Sequence, residues 1–232
     1  MPRRRRLILQ NLPHHIVQRG HNRNVVFVEN ADYEYYLNNL IEWKLQLDID
    51  VYSYCLMTNH VHLIVNPGET PENVSELMKR LAGRQTRYVN RLENRTGTLW
   101  DSRYRISPID TDEYLLQCCR YVELNPVKAK MCMHAEQYRW SSYQAKLGLV
   151  DARWLDEDPS FESLGDSIRQ CRKNYKAYVE DWVGAQVSQQ FIQIAVDRNQ
   201  LTGSTLFTDQ IESRTGVRIE YRGRGRPAKE HE

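Results

Sequence analysis

An α+β fold built on a four-stranded antiparallel sheet is predicted by three features of the sequence. Asn59-His60-Val61-His62-Leu63-Ile64-Val65 has the period of two that marks a strand, with Val61, Leu63 and Val65 on one face. Two long segments carry apolar residues at helical spacing, one on each side of it in sequence. The elements then follow one another as β-α-β-β-α-β.

Residues 13–19, Pro-His-His-Ile-Val-Gln-Arg, read as the first strand. Asn30 is expected to cap the first helix, with Asp32 favourable in its first turn. Tyr33, Tyr36, Leu37, Leu40 and Ile41 form its apolar stripe, and it should end near Asp48. Residues 49–57 are a second strand, and the short Thr58-Asn59 connection makes a hairpin with the His strand. Thr70-Pro71-Glu72 opens a second helix, with Pro at its first position. Its stripe is Val74, Leu77, Met78, Leu81, Tyr88 and Leu92, and Asn94-Arg95-Thr96-Gly97 stops it. Residues 104–110 complete the sheet. This order is the split βαβ of ferredoxin-like folds. Both helices should cover the face of Val61, Leu63 and Val65. The opposite face, with His60 and His62, needs a cover of its own, and a helix over 111–125 ending before Pro126 is expected to supply it.

Beyond this body the chain changes character. Residues 136–143 are aromatic-rich and should pack against it. Residues 150–212 carry 6 Lys and Arg against 11 Asp and Glu and read as mostly helical, with a helical pair turning at 200–204. The expected organisation is a catalytic domain over 1–148, a helical extension over 149–215 and a basic tail over 216–232. The tail is too poor in apolar residues to bury a core.

Composition excludes several classes. No apolar run approaches the ~20 residues that span a bilayer, so no membrane partner is expected. Met-Pro-Arg-Arg-Arg-Arg leads into no signal-peptide core. Five cysteines without Cys-x-x-Cys spacing argue against a disulfide scaffold or a cysteine-rich zinc site and suit the cytoplasm. The net charge of +2 says little, but arginine blocks at 3–6 and 222–226 suggest a polyanion.

Period two puts His60 and His62 on one face, about 7 Å apart along the strand, close enough to share a metal ion. Within the 111–125 helix, Tyr114, Cys118, Tyr121 and Asn125 form one stripe, so Tyr121 and Asn125 are neighbours. Two imidazoles and an amide oxygen make an open site, which suits Mg²⁺ or Mn²⁺ better than structural zinc. Such an ion polarises a phosphodiester. Tyr121 is then the candidate nucleophile, giving a covalent phosphotyrosine and a free 3′-hydroxyl. Tyr88 is the rival, but it lies on the apolar stripe of its helix and lacks a carboxamide four residues on. Asn125 also has an ordinary role open to it, capping the helix before Pro126, and the two roles are compatible.

Four ordered motifs carry a family resemblance. They are Leu56-Met57-Thr58-Asn59-His60-Val61-His62-Leu63; Arg95-Thr96-Gly97-Thr98-Leu99-Trp100-Asp101-Ser102-Arg103-Tyr104; Arg120-Tyr121-Val122-Glu123-Leu124-Asn125-Pro126-Val127-Lys128-Ala129; and Trp140-Ser141-Ser142-Tyr143. Over about residues 2–148 the chain resembles the HUH single-tyrosine transposases, and within them the REP-associated tyrosine transposases. The resemblance implies a divalent metal on His60 and His62, with Asn125 as third ligand and Tyr121 as nucleophile. It also implies cleavage and strand transfer of single-stranded DNA beside a hairpin, at REP-like palindromes. By resemblance, DNA contacts fall to Arg3, Arg4, Arg5, Arg6, His15, Gln18, Arg19, Asn22, Arg23, Arg84, Arg87, Trp100, Arg103 and Arg105. Arginine beside aromatic rings suits unpaired bases and phosphates. In the tail, Arg224-Gly225-Arg226-Pro227 resembles an AT-hook, which implies A·T-rich duplex as a second partner and nucleoid association. A monomer is expected, with a dimer that completes the site as the alternative. The rival functions are a hairpin-binding regulator without chemistry, an RNA-binding module on the same strand order, and a phosphodiesterase that uses water in place of Tyr121.

Overall fold

The computed structural model describes residues 6–110, 113–181 and 186–217. The core is a four-stranded sheet of β1 (His14–Arg19), β2 (Asp50–Met57), β3 (His60–Asn66) and β4 (Arg105–Pro108), in the order β2-β3-β1-β4. Every neighbouring pair is antiparallel. With α1 (Asn30–Gln46) and α2 (Glu72–Leu92) in their expected places, this is the ferredoxin-like α+β arrangement. The structure moves the cap of α1 back by one residue. Glu29 holds the cap position, and the Asp32 carboxylate accepts from the backbone N–H of Val28 and Glu29 at 2.7 and 2.9 Å. Asp32 does the capping expected of Asn30 because it can reach back to two orphan donors at once.

The strand register sorts side chains onto two faces. Ile16 lies opposite Leu63, and Gln18 opposite Val61. Ile16, Val61 and Leu63 share a core with the buried stripes of α1 and α2, including Tyr36, Leu40, Val74, Leu77 and Leu81. On the other face Val17 lies opposite His62, Arg19 opposite His60, and Cys55 and Met57 pair with the same two histidines from β2. That face is covered by α3 (Glu113–Glu123), as predicted, and also by α8 (Gln186–Arg198), whose Ile192 joins the core.

Both sheet edges are closed, which removes the usual liability of unpaired strand groups. Along β2, Leu56 N–H donates to Trp140 O and Ser142 N–H to Tyr54 O, at 2.9 Å each. The aromatic-rich segment is therefore an edge cover. Along β4, Ile106 N–H donates to Asn199 Oδ1 and Asp110 N–H to Thr202 O.

After residue 148 come α6 (Pro159–Glu162), α7 (Ile168–Glu180), α8 and α9 (Thr205–Thr215). They do not stand apart. Phe161, Cys171, Tyr175 and Val179 share one cluster with Leu124, Ala135 and Tyr143, so burial is continuous across the expected 148/149 boundary. Leu201, Phe207 and Ile211 close over Leu7, Leu9 and Leu12. Among the described residues, no helix is long and apolar enough to cross a membrane.

A buried polar knot ties these parts to α3. Glu123, with no exposed surface, accepts from Ser142 Oγ at 2.6 Å, Tyr175 OH at 2.7 Å and Ser53 Oγ at 3.2 Å. Lys146, on α5 (Tyr143–Lys146), lies 3.9 Å from Glu123 and 2.8 Å from Asp158. Burial pushes the Glu123 carboxyl upward, and Lys146, Ser142 and Tyr175 pull it back. Glu123→Ala leaves three donors and a cation with a lost partner. It is expected to cost about 3–5 kcal/mol in urea unfolding, as broken buried pairs do. Glu123→Gln, which keeps an acceptor oxygen, should cost clearly less.

Candidate active site

The imidazoles of β3 arrive beneath α3 because period two turns both the same way. Their ring centroids are 5.0 Å apart and their planes are 70° to one another. Asn59 sets the tautomer of His60. Its amide nitrogen donates to Arg23 O at 3.1 Å, which turns Oδ1 toward His60 Nδ1 at 2.7 Å. An amide oxygen only accepts, so His60 carries its proton on Nδ1 and keeps a lone pair on Nε2. His62 Nδ1 is likewise engaged, 2.9 Å from His15 Nε2. Burial keeps both rings neutral. The His60 pKa falls to about 4, through desolvation and then Arg19, and His62 is held well below its usual value. Each neutral imidazole keeps one lone pair for a metal, and on His60, with its proton on Nδ1, that lone pair is on Nε2. Among the described residues, no group of three His, Cys, Asp or Glu is arranged to hold an ion.

Tyr121 is carried over this pair by α3. Its ring meets His15 and His62 edge-on at centroid distances of 5.6 and 5.9 Å. Its hydroxyl donates to Gln193 Oε1 on α8. Burial first, and then the charge of Asp197, raises the phenol above its ordinary value. Pro126 ends α3 at Glu123, and the chain restarts as the short α4 (Asn125–Lys128). Asn125 Nδ2 donates to Tyr121 O at 2.9 Å and Val122 O at 3.2 Å. The amide nitrogen thus caps the helix, and its oxygen is turned away from those carbonyls. Tyr88, on α2, stacks on Tyr35 at 4.2 Å in the helix layer across the sheet from the histidines.

Most of the predicted DNA-contact residues gather around two adjoining openings. A cavity of about 460 Å³ runs from His62 to Arg19, Asn22, Arg23, Arg103 and Arg105, with Gln193 and Asp197 of α8 on its far wall. A wider groove of about 730 Å³ is lined by Arg6, Gln18, Arg87, Trp100 and Arg103. Asp101, Ser102 and Arg103 belong to both. The turn at the mouth is tightly built. A side chain at Gly20 would sit 2.3 Å from Asn24 O, and Asn22 and Arg23 take φ of 52° and 62°. Consecutive left-handed non-glycine residues are uncommon and cluster at functional sites.

Three residues expected at the DNA surface are placed otherwise. His15 has no exposed surface and spends Nε2 on His62, so it supports a site residue from beneath. Arg84 is drawn to Glu42 and Asn39 and lies over Trp43 at 4.5 Å, outside both openings. Trp100 is nearly buried, with Nε1 donating to Ala82 O at 3.2 Å, and forms a wall in place of an open stacking platform. Gln18 is also nearly buried, at the floor of the groove. Arg3, Arg4, Arg5, Arg224 and Arg226 lie outside the described residues. Reading the sequence missed Gln193, which only a contact 72 residues away brings to Tyr121. It also missed Lys128, whose Nζ lies 4.1 Å above the Tyr121 ring. The spacing i, i+4, i+7 from Tyr121 through Asn125 would have found Lys128.

No curated protein matches the chain. Among solved structures it is similar to a REP-associated tyrosine transposase bound to a REP hairpin, at a TM-score of 0.57 and 14% identity. That likeness covers 68% of this chain and 99% of the other, and it is a likeness of fold. A candidate transposase from Deinococcus radiodurans is 22% identical, over 53% of this chain and 96% of that one, but at a TM-score of 0.37 it adds nothing to the fold. The model of the IS200-like transposases matches residues 8–125, a span that takes in all four strands, the His60–His62 pair and the helix of Tyr121 through Asn125. With half of its length matched in this way, the chain belongs to the IS200-like transposase family.

Proposed function

We propose that this protein is a metal-dependent endonuclease and strand transferase for single-stranded DNA, acting at the foot of REP-like hairpins through a 5′-phosphotyrosine on Tyr121. One observation carries the reading: Tyr121 lies against the ring of His62, and His62 lines a cavity that four arginines also line. The hairpin substrate is taken from the similar structure, which holds a REP hairpin.

His60 and His62 would hold the ion through Nε2, with Asn125 Oδ1 as the third ligand. Mg²⁺ or Mn²⁺, when bound, polarises the phosphodiester and offsets the charge that develops on it. The remaining work falls to side chains. Arg19, Arg23, Arg103 and Arg105 bind the backbone phosphates that lead to the scissile one. Tyr121 Oη attacks phosphorus as its proton leaves to water, the P–O3′ bond breaks, and the released 3′-oxygen takes a proton from water. The phosphotyrosine conserves the energy of the broken bond, so another 3′-hydroxyl can reverse the step without ATP. Asn59 fixes the tautomer of His60 and His15 holds the His62 ring in place, the usual duty of groups behind a metal ligand. A hairpin-binding regulator without chemistry is the second reading, favoured by the burial of Tyr121 and its bond to Gln193.

A single-stranded hairpin oligonucleotide incubated with Mn²⁺ should give a covalent adduct on a denaturing gel. Tyr121→Phe should abolish the adduct, and Tyr88→Phe should retain it. Cleavage that persists in Tyr121→Phe would instead assign the chemistry to water, and binding with neither adduct nor cleavage would assign the chain to regulation.

Stability should depend on pH in a direction set by the buried imidazoles. His14 and His60 are depressed to about 4 and His15 to about 3, all chiefly by desolvation. The unfolded chain takes up protons near 6.5 that the folded chain refuses. Stability is therefore highest above about pH 6.5, falls as pH falls and levels off near pH 3–4. Each ring accounts for about 2 kcal/mol by pH 5. Thermal unfolding in EDTA should show this decline. Adding Mn²⁺ at pH 7.5 should raise the Tm of the wild type but not of His60→Ala/His62→Ala.

The Arg224-Gly225-Arg226-Pro227 tail is proposed to bind A·T-rich minor groove separately from the cleft. Removing residues 222–232 should weaken binding to an A·T duplex about tenfold or more while leaving hairpin cleavage within about twofold. Equal loss of both would make the tail part of the cleavage site.

A further inference from the structure

The cation above Tyr121 has no structural explanation. Lys128 Nζ is shielded from solvent and has no hydrogen-bond acceptor among the described residues. It lies 4.1 Å from the centroid of the Tyr121 ring. The other charges acting on it or near it do not neutralise it. Arg120 is a second cation, and His15 and His62, which both feel the charge of Lys128, are neutral. Arg120 is itself satisfied, donating to Tyr178 O at 3.2 Å with its guanidinium over the Tyr178 ring.

A buried, unpaired ammonium is costly. Elsewhere this chain pairs its buried lysines. Lys146 lies 2.8 Å from Asp158, and Lys44 Nζ donates to Trp154 O and Asp156 Oδ2. Among the described residues Lys128 is the exception, and it stands over the ring of the tyrosine proposed to become a phosphate ester. The route by which it gets there is short. Tyr121, Asn125 and Lys128 follow at i, i+4 and i+7, and the break before Asn125 shifts the stripe without ending it.

We propose that Lys128 is a catalytic residue whose ammonium is the counter-charge for the phosphoryl group as it passes onto Tyr121. This rests on the phosphotyrosine reading above. As the Oη–P bond forms, the phenol proton leaves to water, the P–O3′ bond breaks, and the 3′-oxygen takes a proton from water. Lys128 keeps its own protons throughout. Its charge opposes the anion that grows first on Oη and then on the transferring oxygens, in a site with little water to do so. The same cation offsets the charge that develops when a second 3′-hydroxyl attacks the phosphotyrosine, so it serves cleavage and rejoining alike.

The test is single-turnover adduct formation on a 5′-labelled hairpin oligonucleotide with Mn²⁺, in wild type, Lys128→Met and Lys128→Arg. Hairpin affinity is measured in parallel, along with Tm. Lys128→Met is expected to slow adduct formation on the order of 100-fold, the scale of a lost charge-stabilising group. Hairpin affinity should stay within about twofold, because the arginines of the cavity mouth carry binding. Lys128→Arg should recover part of the rate. The Tm of Lys128→Met should be equal to or above that of wild type, since an unpaired buried charge is removed. An unchanged rate in Lys128→Met, with wild type forming adduct, overturns the role of Lys128 and leaves the nuclease reading intact. A rate loss that tracks a fall in Tm overturns it in favour of a structural role. A wild type that forms no adduct overturns the nuclease reading and this inference with it.

Discussion

The pleat of β3 is the constraint on which the rest of the structure depends. A strand must present successive side chains to opposite sides. One short segment therefore gives Val61, Leu63 and Val65 to a hydrophobic layer and His60 and His62 to a polar one. Neither assignment can drift, because a slip of one residue would drive the imidazoles into the α1–α2 core and expose the valines. The register with β1 and β2 locks this from both sides. The same lock supplies the neighbours of the site: His15 and Arg19 from β1, Cys55 and Met57 from β2. The histidines are thus held by the sheet as a whole, and a loop could not hold them so firmly.

A polar sheet face needs a cover that is itself partly polar, and this explains the knot around Glu123. Hydrophobic packing alone fixes a helix loosely in rotation and translation. Glu123 reaches β2 through Ser53, the edge segment through Ser142 and α7 through Tyr175, so α3 can sit in only one way. Tyr121 is two residues away on the same helix, and its placement over His62 follows from that anchoring. The helices after residue 148 thereby acquire a purpose that their composition did not announce. Through Tyr175, and through Asp158 paired with Lys146, they clamp the cover, and through Gln193 they reach the Tyr121 hydroxyl.

What was legible in the sequence was what local physics dictates. The alternation of β3, the stripes of α1 and α2, the halt at Pro126 and the turn between α8 and α9 all depend on neighbours a few residues away. Even the cap of α1 lies only one position from Asn30, because Asp32 closes a capping box with Glu29 that local preference for Asn does not outweigh. The misses are contacts over long separations. That α8 would lie on the histidine face depends on Ile192 finding the core and Asn199 finding the β4 edge, and no periodicity encodes either. His15 misled for the same reason. An exposed and a buried histidine look alike in a strand until the covering helix is known. Arg84 looked free until Glu42, on another helix, claimed it.

The two contacts that α8 makes in the cleft differ in how firmly they hold. Arg105 pairs with Asp197, and both side chains are more than a third exposed, at 38% and 37%. Such a pair is worth at most about 1 kcal/mol, so a phosphate can replace the carboxylate on Arg105 with little loss. The bond from Tyr121 to Gln193 is more sheltered, but an amide oxygen is a neutral acceptor and gives the phenol no help in losing its proton. Asp197 works against that loss as well. In the free protein, then, burial, Asp197 and Cys118 favour the neutral phenol, and Arg19 opposes them. On the proposed function, a phosphate on Arg105 would bring the substrate toward the hydroxyl, where Arg19 is the charge that favours the phenolate. Gln193 and Asp197, which hold the hydroxyl neutral in the free protein, also line the cavity through which the proposed substrate would enter.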